Sequence, residues 1–160
     1  MIIRASTLAL AATLALSACG PSGSSSSGSA PPPPAPLTPA QAKALVATLP
    51  APFNTGDPEA GKAVFTQCAA CHTTAQGGPN LTGPNLWGVF GRPVAHEASY
   101  AYSDGLKTQS FIWDAPEIDK WITDPRAVVP TTKMSFAGLK DPKDRINVIA
   151  YLKTATSPAP

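Results

Sequence analysis

Four stretches of the chain repeat their apolar residues at helical spacing, and each follows a residue able to cap a helix. Thr38-Pro39-Ala40-Gln41 supplies an N-cap, a proline at the first helical position and a capping-box glutamine. Leu45, Val46 and Leu49 follow at helical spacing, and Pro50 and Pro52 end the segment. Asp57-Pro58 opens a second helix that runs through Gly61, Val64 and Phe65 to Cys68. Asp114 with Glu117 marks a third, whose inner face is Ile118, Trp121 and Ile122 and which Pro125 terminates. Asp141-Pro142 begins a fourth, with Ile146, Ile149, Ala150, Tyr151 and Leu152 apolar around most of its circumference, so it should be buried against another helix. The stretch from His72 to Leu86 is rich in Gly, Asn and Pro and predicts no regular element. No alternating run long enough for a strand appears, and no internal repeat.

Composition changes sharply toward the N-terminus. Residues 1–18 carry Arg4 and an apolar run from Leu8 to Leu16, the pattern of a secretory signal too short for a permanent membrane span. Leu16-Ser17-Ala18-Cys19-Gly20 resembles the bacterial lipobox. That resemblance implies cleavage before Cys19, lipidation of that cysteine and a stable hold on the bilayer by several acyl chains. Residues 19–36 are Ser, Gly and Ala followed by the run Pro31 to Pro34, a tether that cannot build a core. Residues 37–53 form the short helix and a linker, residues 54–156 the single globular domain and residues 157–160 a tail. The formal charge of +2 includes Arg4. Without the leader the chain is nearly neutral, which excludes a nucleic-acid binder.

Three cysteines in an exported chain leave one to explain, and Cys19 is that one. The others lie in Cys68-Ala69-Ala70-Cys71-His72, and a C-x-x-C-H run is the attachment signature of a c-type haem. The two thiols lie on one side of a helical turn, each placed to add across one haem vinyl group, and His72 then faces the iron. A zinc half-site would need a second cysteine pair and a thioredoxin-like dithiol a βαβ setting, and neither is present. In a domain of about 100 residues the macrocycle is also the largest piece of the interior, so the protein without it should fold poorly. A second axial partner decides between electron transfer and ligand chemistry. After the leader Met134 is the only methionine, in the irregular stretch Pro130 to Gly138. A lone loop methionine is more often packing than ligand, but no other thioether competes for the iron.

The sequence resembles the class I cytochromes c, close to the mitochondrial and c2 types and their membrane-anchored bacterial relatives. The resemblance covers residues 57–154. It rests on Gly61 and Phe65, the Cys68 to His72 motif, Gly83-Pro84-Asn85-Leu86, Gly91-Arg92, Tyr100, Tyr102, Trp113, Thr132-Lys133-Met134 and Ile149-Ala150-Tyr151-Leu152. It implies an all-α fold of three main helices and short turns wrapped around one covalent haem c. It further implies Cys68 and Cys71 as thioether attachments, and His72 and Met134 as the iron ligands. The Pro84 carbonyl would accept the His72 Nδ1 proton, with Arg92, Tyr102, Trp113 and Thr132 at the haem propionates. Gly61 and Phe65 would meet Val148 and Tyr151 where the terminal helices cross. Thr131 replaces a glycine and Trp121 a tyrosine of the mitochondrial relatives, and His96 reads as an exposed loop residue.

With both axial positions filled, the expected activity is one-electron transfer rather than enzymatic turnover. The implied carrier is a monomer meeting membrane-bound redox complexes, quinol-oxidising donor and terminal oxidase, through an exposed haem edge on the periplasmic face of a bacterial membrane. The inner membrane is favoured by such partners, although Gly20 supplies no retention signal for it. Lys62, Lys120, Lys133 and Lys140 are interspersed with acidic residues, so partner binding should depend only weakly on salt. Two alternatives stand beside this reading: a haem subunit of a dehydrogenase complex, and a peroxidase or gas-binding protein in which Met134 is labile.

Overall fold

The structure, a computed structural model, describes residues 36–157. The expected leader, Cys19 and the tether up to residue 35 lie outside the described residues. The helices are α1 (Pro39–Ala47), α2 (Pro58–Ala69), α3 (Asp104–Lys107), α4 (Ala115–Thr123), α5 (Pro125–Val128) and α6 (Pro142–Ala155), with a 3₁₀ turn at Phe53–Thr55. Among the described residues the only β pairing is an isolated antiparallel bridge between Pro93 and Ile112, and no helix is long and apolar enough to cross a membrane.

The caps behave as the sequence predicts. Thr38 and Gln41 close a reciprocal capping box on α1, and Asp57 Oδ1 accepts from Glu59 N–H at 2.9 Å and Ala60 N–H at 3.3 Å to start α2. Asp114 and Asp141 do the same for α4 and α6, accepting at 2.8 Å from Glu117 N–H and Lys143 N–H. Pro125 does end α4, but it also opens α5. Asp124 Oδ1 caps that turn by accepting from Arg126 and Ala127 N–H, both at 3.1 Å, so the proline occupies a first helical position where its missing N–H costs nothing.

Helix α6 is the axis of the domain. Helices α1, α2 and α4 and the 3₁₀ turn all pack on it, which is why Asn147, Val148, Ile149, Ala150 and Leu152 are all buried and no single polar stripe survives. The α1 segment therefore docks: Val46, Leu49 and Phe53 are buried, the last two within the main core.

Helices α2 and α6 make the tightest crossing. A Cβ on Gly61 would sit well inside contact distance of the Asn147 carbonyl oxygen and Tyr151 Cβ, so the two backbones meet where glycine leaves room. Phe65 and Tyr151 pack nearby with ring centroids 5.1 Å apart and planes tilted by 47°. Val148, expected at this contact, is buried on α6 beside Asn147 and lines the central cavity together with Phe65.

The buried Asn147 side chain accepts from Asp57 N–H at 3.0 Å, tying the entry of α2 to α6 across the sequence. Asn147→Ala is expected to cost about 1–3 kcal/mol, because it leaves that N–H without its partner. Denaturant unfolding of the haem-loaded protein measures the loss, and an unchanged midpoint would show that water replaces the amide.

Candidate functional site

The core encloses a cavity of about 240 Å³. Its wall is mainly apolar, with Phe65 from α2, Ile118 and Ile122 from α4, Leu152 from α6, and Leu86 and Val89 from the long loop. That volume far exceeds the ~10–15 Å³ one water needs, and a wall so poor in polar atoms suits a large hydrophobic group.

The chemistry-bearing residues enter from the end of α2. Cys71 N–H and His72 N–H both donate to the Cys68 carbonyl at 3.0 Å, so the chain curls at the motif and brings Cys68, Cys71 and His72 to one wall. Both thiols are half-buried and unbridged. Burial pushes the Cys68 thiol up to about 11, with Cys71 beside it adding in the same direction.

His72 Nδ1 lies 2.7 Å from the Pro84 carbonyl oxygen. A carbonyl only accepts, so Nδ1 carries the proton and Nε2 keeps a lone pair for a metal. Burial lowers the basicity of the ring and the Pro84 contact opposes it. Gly83 lets the loop lie against the imidazole, since a Cβ there would overlap the ring. Gly83 N–H donates to the Cys71 carbonyl at 2.8 Å, and Asn85 Nδ2 donates to Thr73 Oγ1 at 2.6 Å and the Ala75 carbonyl at 3.0 Å, so the loop and motif form one clamp.

Met134 is half-buried and lines the same cavity from the loop between α5 and α6. Its N–H donates to Thr132 Oγ1 at 3.2 Å, and Lys133 Nζ donates to the Ala101 carbonyl at 2.8 Å. Behind it, Leu139 N–H donates to the Ile122 carbonyl at 2.8 Å. Arg145 holds Asp119 at 2.8 Å and donates to the Leu139 and Lys140 carbonyls at 3.0 and 3.1 Å. The loop is thus anchored on both sides of the sulfur. Thr131 needs no left-handed backbone here: its hydroxyl packs against Gly105, which leaves space a Cβ would take.

Of the residues assigned to the propionates, Tyr102, Trp113 and Thr132 line the cavity. The Tyr102 oxygen accepts from Glu97 N–H at 3.4 Å, which leaves its own proton to donate, and burial pushes the phenol above its usual value. Trp113 is buried edge-on to Trp121, with centroids 5.7 Å apart. Trp121 stands in the wall as the sequence places it, but as an indole rather than a phenol. Arg92, by contrast, is exposed and not part of the lining, with its guanidinium near Gly88. His96, expected on the surface, is half-buried and belongs to the wall, because the loop from Pro93 to Ser103 folds inward. Ser103 and Leu106 also line it from α3, a single turn whose signal is only the Ser103-Asp104 cap.

Two thiols, an imidazole with a free Nε2 and a thioether therefore share one apolar cavity, a donor set that fits a haem held covalently at its edge and axially at its iron. A family model described as Cytochrome c matches residues 58–156. The chain is 45% identical over 103 residues to cytochrome c of Ginkgo biloba, spanning 64% of this chain and 91% of that protein. It is 39% identical over 108 residues to cytochrome c of Kluyveromyces lactis, spanning 67% and 98%, and 45% identical over 97 residues to cytochrome c2 of Rhodoblastus acidophilus, spanning 61% and 91%. The chain belongs to the cytochrome c family, all-α proteins that carry electrons on a covalent haem c with its iron and are not enzymes.

Proposed function

We propose that this chain is a one-electron shuttle with His72 and Met134 as axial ligands, running between a quinol-oxidising complex and a terminal oxidase at the periplasmic face of a bacterial membrane. The observation that carries it is the convergence of Cys68, Cys71, His72 and Met134 on one cavity. When bound, the haem supplies a reversible one-electron couple, and a thioether ligand favours its ferrous form. The protein's part is to hold still. The Pro84 carbonyl orients His72, the anchored loop holds Met134, and Tyr102, Trp113 and Thr132 offer donors for the propionates.

One edge of the cavity reaches the surface, where Gln67, Thr82, Lys133 and Ser135 are both exposed and part of the wall. The neighbouring Leu81 is exposed too, at 45%. A redox partner would approach there, through the small, weak interface such encounters use. Lipidation of Cys19 and the tether of residues 19–36 would keep the domain near membrane complexes and raise its effective concentration there.

Optical spectra of the purified protein, oxidised and reduced, with a pyridine haemochrome assay on the same sample, test the ligand set. A c-type haemochrome with the weak far-red band of Met-ligated ferric haem is expected. Covalent haem without that band would move Met134 off the iron and favour ligand binding over shuttling.

A further inference from the structure

The chain has two histidines, and both line the cavity. His72 is committed to the iron. His96 has its Nδ1 3.1 Å from the Pro93 carbonyl oxygen. Because that oxygen only accepts, the neutral ring carries its proton on Nδ1 and leaves Nε2 as a lone pair. Burial lowers the basicity of His96, the nearby Arg92 guanidinium adds to that, and the Pro93 carbonyl and the Glu97 carboxylate oppose it. From the facing loop Lys133 holds its ammonium on the Ala101 carbonyl, the Tyr100 hydroxyl donates to the Thr82 carbonyl, and the Tyr102 oxygen accepts from Glu97 N–H. By itself the ring is therefore mostly neutral at pH 7.

Haem c brings two propionate carboxylates into this cavity. A neutral His96 with a bare Nε2 has nothing to donate to a carboxylate, whereas the imidazolium does. Resting on the His/Met haem reading above, we propose that His96 binds a haem propionate through a protonated Nε2, and that this residue couples proton uptake to reduction. It places a charged donor in the wall itself, whereas Arg92 is exposed and not part of the lining.

The coupling follows from charge. One electron from the redox partner makes the haem and its iron more negative by one unit, which favours a cation alongside. In molecules with neutral His96, one proton from water then adds to Nε2, and electron and proton both leave on reoxidation. The His96 pKa is higher in the reduced protein than in the oxidised one. By linkage the midpoint potential falls as pH rises between those two values and is flat on either side.

Two measurements on the haem-loaded protein test this: NMR titration of the His96 ring in each redox state, and spectroelectrochemistry from pH 5 to 9 on the wild type and His96→Gln. Expected are a His96 pKa raised by about half a pH unit or more on reduction and a sloping segment of potential that His96→Gln abolishes while the far-red band persists. Equal His96 pKa values in the two states, or a slope that survives in His96→Gln, overturns the proposal. The wild-type titration decides the matter even if the variant is poorly made. Failure of the ligand reading shows separately, as a missing far-red band in the wild type.

Discussion

Met134→Ala is expected to leave the haem attached but to lower its reduction potential by several tenths of a volt, a sizeable part of the ~0.8 V that axial ligands command. The far-red band should vanish, and cyanide or carbon monoxide should bind rapidly where the wild type binds slowly. The loop itself should survive, because its anchors do not involve the sulfur. Lys133 Nζ on the Ala101 carbonyl, Leu139 N–H on the Ile122 carbonyl and Arg145 on the Leu139 carbonyl all remain. The lost packing of a half-buried methionine should cost less than the 2–5 kcal/mol typical of a fully buried one. Spectra, redox titration and ligand-binding rates on one preparation separate the effects. A variant that keeps both the band and a closed iron would place a different group on it.

The second large effect is at the helix crossing. In an ordinary helix interior, glycine to alanine gains about 1 kcal/mol in propensity. At Gly61 the sign should reverse. The new Cβ overlaps the Asn147 carbonyl, a backbone oxygen fixed within α6 that has no rotamer to escape into. Relief requires moving α2 off α6, which also loosens the Asn147 bond to Asp57 N–H and the Phe65–Tyr151 contact. Gly61→Ala is expected to cost about 3 kcal/mol, the upper end of ordinary overpacking, and Gly61→Val more. Against a total of about 5–15 kcal/mol, the valine variant should yield little haem-loaded protein at 37 °C. Urea unfolding followed by far-UV dichroism and haem absorbance measures the alanine variant. A cost below about 1 kcal/mol would mean that the helices part easily at this point.

The two tests address different links. Met134 governs the electron's energy on a fold that persists, whereas Gly61 governs whether the pocket forms. A variant lowering the potential without altering stability, and one lowering stability without altering the potential of the surviving protein, would together separate ligand from scaffold.

The helices and the attachment motif were legible residue by residue because their signals are local. An aspartate or threonine followed by proline starts a helix through bonds that span two or three residues, and Cys68, Cys71 and His72 share one turn of chain. Met134 stood out for scarcity, and Pro84 and Tyr102 through resemblance. Contacts across long loops are set by packing instead. Docking of α1 on α6 joins elements far apart in sequence, and Arg92 outside the wall and His96 within it depend on how the irregular stretch from residue 73 to 103 folds back. Neither periodicity nor capping reports that path. Its course is decided by side-chain bonds between distant residues, such as Asn80 to Ser99 at 3.0 Å and Tyr100 to the Thr82 carbonyl, which exist only once the core has brought the loops together.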